Sequence, residues 1–211
     1  MIGEGANLGV TQAGRIAFAR KGGRINTDAV DNSAGVDTSD HEVNIKILLA
    51  DAIQSGALAQ DARNDLLAAM TDDVARLVLR NNYDQSLALS MAQAEASTDL
   101  DSHERFIERL ERAGKLSRGV EGLPASEEIR ALRERGAGLT RPELAKLIAY
   151  SKIDLFDAIV ASDTPDDPHF AGALAAYFPA GVAGLNESMG RHRLRREIIA
   201  TGLASDLVNM G

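Results

Sequence analysis

Apolar residues recur at three- and four-residue spacing along most of the chain after the first forty residues, and this period is typical of amphipathic α-helices. The pattern begins with a helix that we predict to start at Ser39 and to end at Gly56. Ser39 and Glu42 have the spacing of a capping box, and glycine commonly follows a last helical turn. A second capping box, at Thr140 and Glu143, predicts another long helix. The chain is therefore predicted to be mainly α, with a bundle-like helical domain.

The first forty residues follow a different pattern, which is rich in Gly, Asn, Asp, Ser and Thr. Gly3 and Gly5 predict a sharp turn, because glycine adopts backbone conformations that other residues avoid. The segment 24–30 alternates enough to predict a brief strand. So many small polar residues cannot form a core alone. We therefore expect this segment to pack on other parts of the protein or to form a cluster of functional loops.

Composition narrows the class of protein. Of the 211 residues, 45% are hydrophobic and only 4% are aromatic, with no Trp, which favours helices packed through Ala and Leu. The absence of Cys excludes disulfides, thiolate metal ligands and a cysteine nucleophile. No apolar run reaches membrane-spanning length, and the N-terminus lacks the pattern of a secretory signal. We therefore predict a soluble, cytoplasmic protein without a membrane partner.

The charge balance bears on nucleic acids. Lys and Arg number 23 against 31 Asp and Glu, so the net charge is −8 and the chain lacks an overall attraction to phosphate. A basic run at 191–196 opens the last predicted helix, which extends to about residue 208. In an acidic chain such a run is interpreted as a salt-bridged or interface surface, and contact with RNA is the weaker alternative. Nucleic acid is therefore not expected as a partner.

Two polar segments are candidates for a binding site. The glycines of residues 3–9 resemble a phosphate-binding turn, but the third comes one residue late and no complete strand precedes them. Residues 28–42 hold the densest polar run. The residues alone leave open whether this run is a loop leading into a helix cap or a site for a carboxylate or amide at a helix N-terminus. Its spacing is not that of a calcium loop, and no metal site is predicted.

A resemblance to a known family rests on these segments. The very large bacterial NAD-specific glutamate dehydrogenases are similar to this chain at GEGANLGVTQ, GGRINTDAV, DNSAGVDTSDHEV and RHRLRREIIATGLASDLVN. The resemblance covers the whole chain and implies a fragment of such an enzyme. It implies that residues 1–56 end the catalytic region, with one or two short strands from a Rossmann-type domain. Residues 57–211 would then be the truncated helical C-terminal region.

The same resemblance, which extends to the shorter glutamate dehydrogenases, implies roles for five residues. Asn7 would lie near the nicotinamide ribose, and Asn32 would contact the nicotinamide end of NAD. Ser39 would hydrogen-bond a carboxylate of glutamate, with Val36 and Gly35 in the same substrate-binding set. An N-cap at Ser39 would place its hydroxyl beside free backbone N–H groups, which suits a carboxylate.

The resemblance also implies what this segment lacks. In the family, the catalytic Lys and Asp and the dinucleotide-binding Gly-rich turn lie upstream of the position of Met1. No catalytic residue is therefore predicted here, and we expect the isolated chain to be inactive. The parent enzyme would bind NAD, L-glutamate and 2-oxoglutarate, and would form a homo-oligomer. The alternative is a non-enzymatic helical module for oligomerisation or regulation.

Overall fold

The computed structural model describes residues 1–210, which are mainly helical and contain no strand. The chain forms two compact units, each built from two stretches. The first unit combines Met1–Ser33 with Asp84–Ser151, and the second combines Ala34–Tyr83 with the chain from Lys152 onward. The boundaries fall within helices rather than in linkers, so neither unit is a continuous piece of sequence.

Helices of very different length make up the described chain. The α-helices are α1 (Gln12–Arg20), α2 (Asp28–Asp31), α3 (Ser33–Gln54), α4 (Arg63–Ala69), α5 (Thr71–Ala94), α6 (Leu100–Arg112), α7 (Arg118–Glu121), α8 (Ser126–Glu134), α9 (Arg141–Val160), α10 (Ala171–Tyr177), α11 (Asn186–Gly190) and α12 (Arg195–Met210). Short 3₁₀ turns lie at Thr164–Asp166, Pro168–Phe170 and Ala180–Val182. The chain crosses between the two units within α3, α5 and α9.

Apolar side chains from α5, α6, α8 and α9 form the core of the first unit. Its fully buried members include Leu89, Leu100, Ile107, Leu110, Ile129 and Leu144. On α6 the spacing of the buried leucines and Ile107 follows the helical period, so one face turns inward. Gly138 permits a close approach, because a Cβ added there would lie 2.3 Å from the carbonyl carbon and oxygen of Ala96. Such contacts leave no room for a larger residue at position 138.

The second unit has its own core, centred on α3, α10 and α12. Its buried members include Ile45, Leu48, Leu49, Met70, Phe178, Val182 and Ile199. Three of these share one face of α3 because they lie three and four residues apart. Gly56 adopts a φ of +77° just beyond the end of α3, which confirms the predicted stop.

The predicted strand at 24–30 is wrong. One backbone hydrogen bond, from the Ile2 N–H to the Arg24 carbonyl at 2.9 Å, joins the two extended segments. A single bond does not make a ladder, and no further strand pairs with these segments within residues 1–210. The chain then turns at Thr27 into the short helix α2, so the apparent alternation ends in a helical turn.

The predicted helix start at Ser39 is also wrong. Helix α3 begins at Ser33 and runs through Gly35, so Ser39 lies inside the helix rather than at its cap. Its neighbour Thr38 donates its hydroxyl to the Ala34 carbonyl at 2.7 Å, a bond typical of a helix interior. Small residues without proline allow the helix to extend back across this stretch. Local capping signals therefore identified the helix but not its first residue.

The second predicted capping box is confirmed for the half that Glu143 supplies, whereas the Thr140 hydroxyl bonds the Glu143 carboxylate instead of its N–H. The Glu143 carboxylate accepts the Thr140 N–H at 2.7 Å, immediately before α9 begins. Arg20 approaches the other oxygen of this buried carboxylate at 3.3 Å. The box therefore fixes the start of α9 and also ties α1 to it within the first unit.

Candidate functional site

Two carboxylates of the segment 26–32 hold the glycine-rich loop of residues 3–9, and a third, Glu4, bonds the two ends of the loop together. The Glu4 N–H donates to Asp31 Oδ2, and the Leu8 N–H donates to Asp28 Oδ2, both at 2.8 Å. The Val10 N–H donates to Glu4 Oε1 at 2.9 Å. The Leu8 N–H contributes most to holding the pKa of Asp28 below its usual value. Side-chain acceptors thus replace the ladder that a strand would have supplied.

Arg15 of α1 lies beneath this loop and is 4% exposed. Its Nε and Nη2 contact the two carboxylate oxygens of Glu4 at 2.5 and 2.9 Å, and Nη2 also lies 3.1 Å from Asp28 Oδ1. The pair with Glu4 raises the pKa of the Arg15 guanidinium. Glu4 is itself only 4% exposed, so this is a bidentate ion pair largely removed from water.

Asn7 and Asn32 meet at the surface of the first unit. The Asn32 amide NH₂ donates to Asn7 Oδ1 at 2.6 Å and lies 3.4 Å from the Gly5 carbonyl. These contacts leave the Asn7 amide NH₂ and the Asn32 amide oxygen without partners among residues 1–210. One donor group and one acceptor therefore stand side by side, which suits a polar ligand that carries both.

Leu8, next to Asn7, has a strained backbone. Its φ is +58°, in the left-handed region that a branched side chain rarely adopts, and its side chain is 84% exposed. The strain is held by the bond from its N–H to Asp28. Strained residues of this kind cluster at binding loops, because the surrounding contacts must over-determine them.

The three predicted substrate residues lie on α3, in the second unit. Gly35, Val36 and Ser39 share one face of the helix, since they lie within one turn of each other, and all three are exposed. Val36 is 67% exposed. The Ser39 hydroxyl makes no hydrogen bond to any described residue. This face combines a free hydroxyl with an apolar side chain, but the expected neighbouring free N–H groups lie further back, in the first turn of α3.

The opposite face of α3 carries the buried His41, which pairs with the half-buried Tyr177. The His41 ring stacks on the Tyr177 ring with 4.4 Å between centroids and 20° between planes. The Tyr177 hydroxyl donates to Asp40 Oδ2 at 3.0 Å and accepts from the Asn44 amide at 2.8 Å. Burial raises the pKa of this phenol well above its ordinary value. These contacts fix α10 against α3 in the second unit and thereby support the exposed face.

His192 anchors the basic run to α3. Its Nδ1 accepts the Leu194 N–H at 3.2 Å, so the ring proton lies on Nε2 and is donated to the Asn44 carbonyl at 3.1 Å. Burial lowers the pKa of His192. The histidine is therefore a neutral structural contact rather than a proton carrier.

The basic run was predicted to be a salt-bridged surface, and this prediction is confirmed for three of its arginines. Arg191 lies 2.8 Å from Asp51, and Arg195 and Arg196 both pair with Asp166. Arg196 also donates to the carbonyls of Val160 and Ser162. Asp166 therefore pairs with two cations of this run.

Within residues 1–210 no three His, Cys, Asp or Glu side chains lie together as metal ligands would. Nor does any helix in this part of the chain combine the length and the apolar content needed to cross a bilayer. The exposed groups of the two candidate surfaces are side-chain amides, a hydroxyl and an apolar side chain, which can bind and orient a ligand.

Comparison with known proteins identifies the class. The family model for the catalytic domain of bacterial NAD-glutamate dehydrogenase matches residues 1–92, and the model for the glutamate dehydrogenase C-terminal region matches residues 136–211. Both matches describe parts of one kind of enzyme. The predicted division at residue 56 stays a prediction.

Curated relatives agree with these matches over 99% of the chain. NAD-specific glutamate dehydrogenases from Pseudomonas aeruginosa, Mycobacterium tuberculosis and Halomonas elongata are 49%, 47% and 46% identical to it, each over 210 residues. The chain spans only 13% of the length of each relative. The chain belongs to the bacterial NAD-specific glutamate dehydrogenase family and corresponds to a segment of these much longer proteins.

Asn7 and Asn32 at the surface were predicted, but the buried residues that support them were not. Glu4 and Arg15 lie eleven positions apart, and Arg15 sits beside Ile16 on the buried side of a short amphipathic helix. A lone arginine at such a position was the available signal, because a buried guanidinium requires a partner. His41 and Tyr177 gave no such signal, since they are remote in sequence.

Proposed function

We propose that this chain supplies part of the cofactor and substrate sites of an NAD-dependent glutamate dehydrogenase. The reaction converts L-glutamate, water and NAD to 2-oxoglutarate, ammonia and NADH. The observation that carries the proposal is the paired amides of Asn7 and Asn32, which the glycine-rich loop presents with one donor and one acceptor free. The family match supports this assignment.

Asn7 and Asn32 form the cofactor part of the proposal. Asn32 contacts the nicotinamide end of NAD, and Asn7 lies near the nicotinamide ribose. A ribose hydroxyl and a carboxamide each offer donors and acceptors, so both match the free groups of this pair. The Leu8 strain and the bonds to Asp28 support a preformed loop, which lowers the entropy lost on binding.

Ser39, Val36 and Gly35 form the substrate part. The Ser39 hydroxyl donates to a carboxylate of glutamate, Val36 contacts the aliphatic part of the substrate, and Gly35 permits close approach. Their common exposure on one face of α3 supports this role. The corrected position of Ser39 inside the helix means that the hydroxyl itself, and not neighbouring free amides, supplies the interaction.

The cofactor role is tested by Asn32→Ala in a full-length glutamate dehydrogenase that carries this segment. We expect the KM for NAD to rise while the KM for glutamate changes little. Asn64→Ala is the matched control, because Asn64 is an exposed asparagine on the surface of the second unit. Equal kinetics for Asn32→Ala and Asn64→Ala would contradict the assignment.

The isolated chain is expected to be inactive, since no residue here is assigned to acid–base chemistry. The formation of NADH from glutamate and NAD, followed by absorbance, tests this expectation. A rate close to that of the full-length enzyme would contradict it. The full-length enzyme serves as the positive control in the same assay.

A second proposal is that the helical part mediates homo-oligomerisation or regulation. The exposed side chains of Leu79 and Tyr83, one turn apart on α5, favour it, with exposures of 64% and 61%. Light scattering after size exclusion tests it over a wide concentration range. We expect an oligomer that is weakened by Leu79→Ser, whereas a strict monomer would contradict this role.

A further inference from the structure

The geometry points to Arg15 as the positioning residue of the glycine-rich loop, through which it sets Asn7 against Asn32 for binding of the cofactor. This inference rests on the proposed cofactor role of the two asparagines. Neither the family matches nor the sequence motifs assign a function to Arg15 or to Glu4. The guanidinium touches neither asparagine, so its effect passes through the two carboxylates that it pairs with.

Arg15 determines where two carboxylate acceptors lie, those of Glu4 and Asp28. One oxygen of Glu4 accepts both from Arg15 Nη2 and from the Val10 N–H, at 2.9 Å each. The carboxylate of Asp28 contacts Arg15 through Oδ1 and the Leu8 N–H through Oδ2. Each carboxylate therefore has one cation beneath it and one loop amide above it. The cation fixes both acceptors at once.

The bonded main-chain amides lie on both sides of Asn7. Leu8 and Val10 follow Asn7, and Glu4, whose N–H is also bonded, begins the turn that leads to it. Glu4 is fixed at both ends, because its N–H donates to Asp31, the residue before Asn32. The loop therefore has its fixed points on either side of Asn7, and the partner segment that carries Asn32 supplies two of the acceptors.

Burial makes this network rigid. Arg15 and Glu4 are each 4% exposed, so water cannot replace a lost partner. Removing one member of a buried pair leaves the other charge uncompensated. The loop would then move to rehydrate Glu4, and the contact between Asn7 Oδ1 and the Asn32 amide would be lost. A displacement of about 1 Å at a binding group can cost as much as about 100-fold.

Arg15→Gln tests the inference, and Arg20→Gln is its matched control. Arg20 lies on the same helix and also pairs with a buried carboxylate, Glu143 at 3.3 Å, but it does not contact the loop. The first readout is the NMR spectrum of this 211-residue chain, in the backbone amides of Gly5 and Gly9 and the side-chain amide of Asn32. We expect these resonances to shift in Arg15→Gln and to stay in place in Arg20→Gln.

The second readout is the kinetics of the full-length dehydrogenase that carries the same substitutions. We expect Arg15→Gln to raise the KM for NAD by about tenfold or more, with the KM for glutamate near its normal value. Arg15→Lys keeps the charge but lacks the planar fork, so it should restore part of the loss. Arg20→Gln should leave both values unchanged.

The two readouts separate the inference from the proposed function. Unshifted loop resonances in a folded Arg15→Gln chain would overturn the inference. Shifted resonances with an unchanged KM for NAD would support positioning and contradict the cofactor role of the asparagines. Should Arg15→Gln fail to fold, Glu4→Gln replaces it, because its amide oxygen still accepts from Val10 while the ion pair is lost. The same resonances are then expected to shift, and their constancy would overturn the inference.

Discussion

The His41 ring stacks on the Tyr177 ring with 4.4 Å between centroids, although the two residues come from different stretches of the second unit. His41 is 1% exposed, and neither of its ring nitrogens has a hydrogen-bond partner among the described residues. Burial lowers the pKa of His41 more strongly than the nearby carboxylates of Asp37 and Asp40 raise it. The folded protein therefore holds this histidine in its neutral form, packed as an aromatic residue.

This environment predicts a loss of stability in mild acid. The pKa values of His41 and His192 are lowered in the folded chain, whereas an unfolded histidine titrates near about 6.5. Above that pH both states are neutral and the stabilisation is complete. Below it the unfolded state binds protons that the folded state does not, so the free energy of unfolding falls as the pH drops toward the lowered pKa values. Urea unfolding between pH 7.5 and pH 5 measures this fall.

His41→Phe identifies the contribution of the stacked ring. Phenylalanine keeps the stack on Tyr177, and no hydrogen bond is lost because the ring nitrogens of His41 make none. We expect equal or greater stability at pH 7 and a smaller loss at pH 5. Val43→Ala is the control, since that residue is exposed on the same helix and carries no titratable group, so the pH dependence should stay unchanged. An unaltered slope in His41→Phe would contradict the argument.

The Tyr177 hydroxyl gives a separate prediction. Tyr177→Phe keeps the ring but leaves the Asn44 amide, a buried group, without its acceptor at 2.8 Å. We expect a loss of about 1–3 kcal/mol in the free energy of unfolding, the usual cost of an unsatisfied buried donor. Tyr83→Phe, at an exposed tyrosine of the same unit, should change the urea midpoint little. Equal midpoints for the two variants would show that the hydroxyl contributes nothing.

Gly138 should not tolerate a methyl group. A Cβ there would meet the Ala96 backbone at 2.3 Å, and backbone atoms cannot move aside as a flexible side chain would. Overpacking of this kind costs about 1–3 kcal/mol, so Gly138→Ala should lower the thermal midpoint of unfolding. Gly119→Ala is the control in the same unit, because nothing lies within 4 Å of its added Cβ. A midpoint for Gly138→Ala at or above that of Gly119→Ala would contradict the packing argument.

The fold was predictable from sequence wherever the signal was local. The spacing of apolar residues identified helices correctly, as did Gly56 and the Thr140–Glu143 box. Each of these signals depends on residues within one or two helical turns. The start of α3 was missed because the Ser39–Glu42 spacing suits a cap that the longer helix does not need. A capping motif shows that a residue is able to cap a helix. Whether the helix ends at that residue depends on tertiary packing.

The candidate site was predictable only at its surface. The family resemblance implied roles for Asn7 and Asn32, and the structure brings their amides to 2.6 Å. The supporting ion pair between Glu4 and Arg15 depends on the path of the loop, which no periodic pattern encodes. The predicted strand at 24–30 was wrong for the same reason. Strand pairing depends on two segments of the chain, and the alternating pattern described only one of them. Long-range contacts therefore set the limit of the sequence analysis.

Ser39 provides the sharpest test of the substrate site. Its hydroxyl has no partner among residues 1–210 and lies on the exposed face of α3, so its removal should leave the fold intact. In a full-length glutamate dehydrogenase carrying this segment, Ser39→Ala should raise the KM for glutamate. The loss should be about 1–3 kcal/mol, as for a hydrogen bond to a charged group, with a fall in kcat if the contact also orients the substrate.

Thr38→Ala is the matched control for Ser39→Ala. Its hydroxyl is committed to the Ala34 carbonyl at 2.7 Å, so its loss removes a helix contact without removing a free donor. We expect the steady-state kinetics of Thr38→Ala to stay near those of the parent enzyme. If Ser39→Ala matched it in both kcat and KM, Ser39 would have no part in binding glutamate. Because Ser39 is interior to α3, such a result would also remove the reason for assigning this helix face to the substrate.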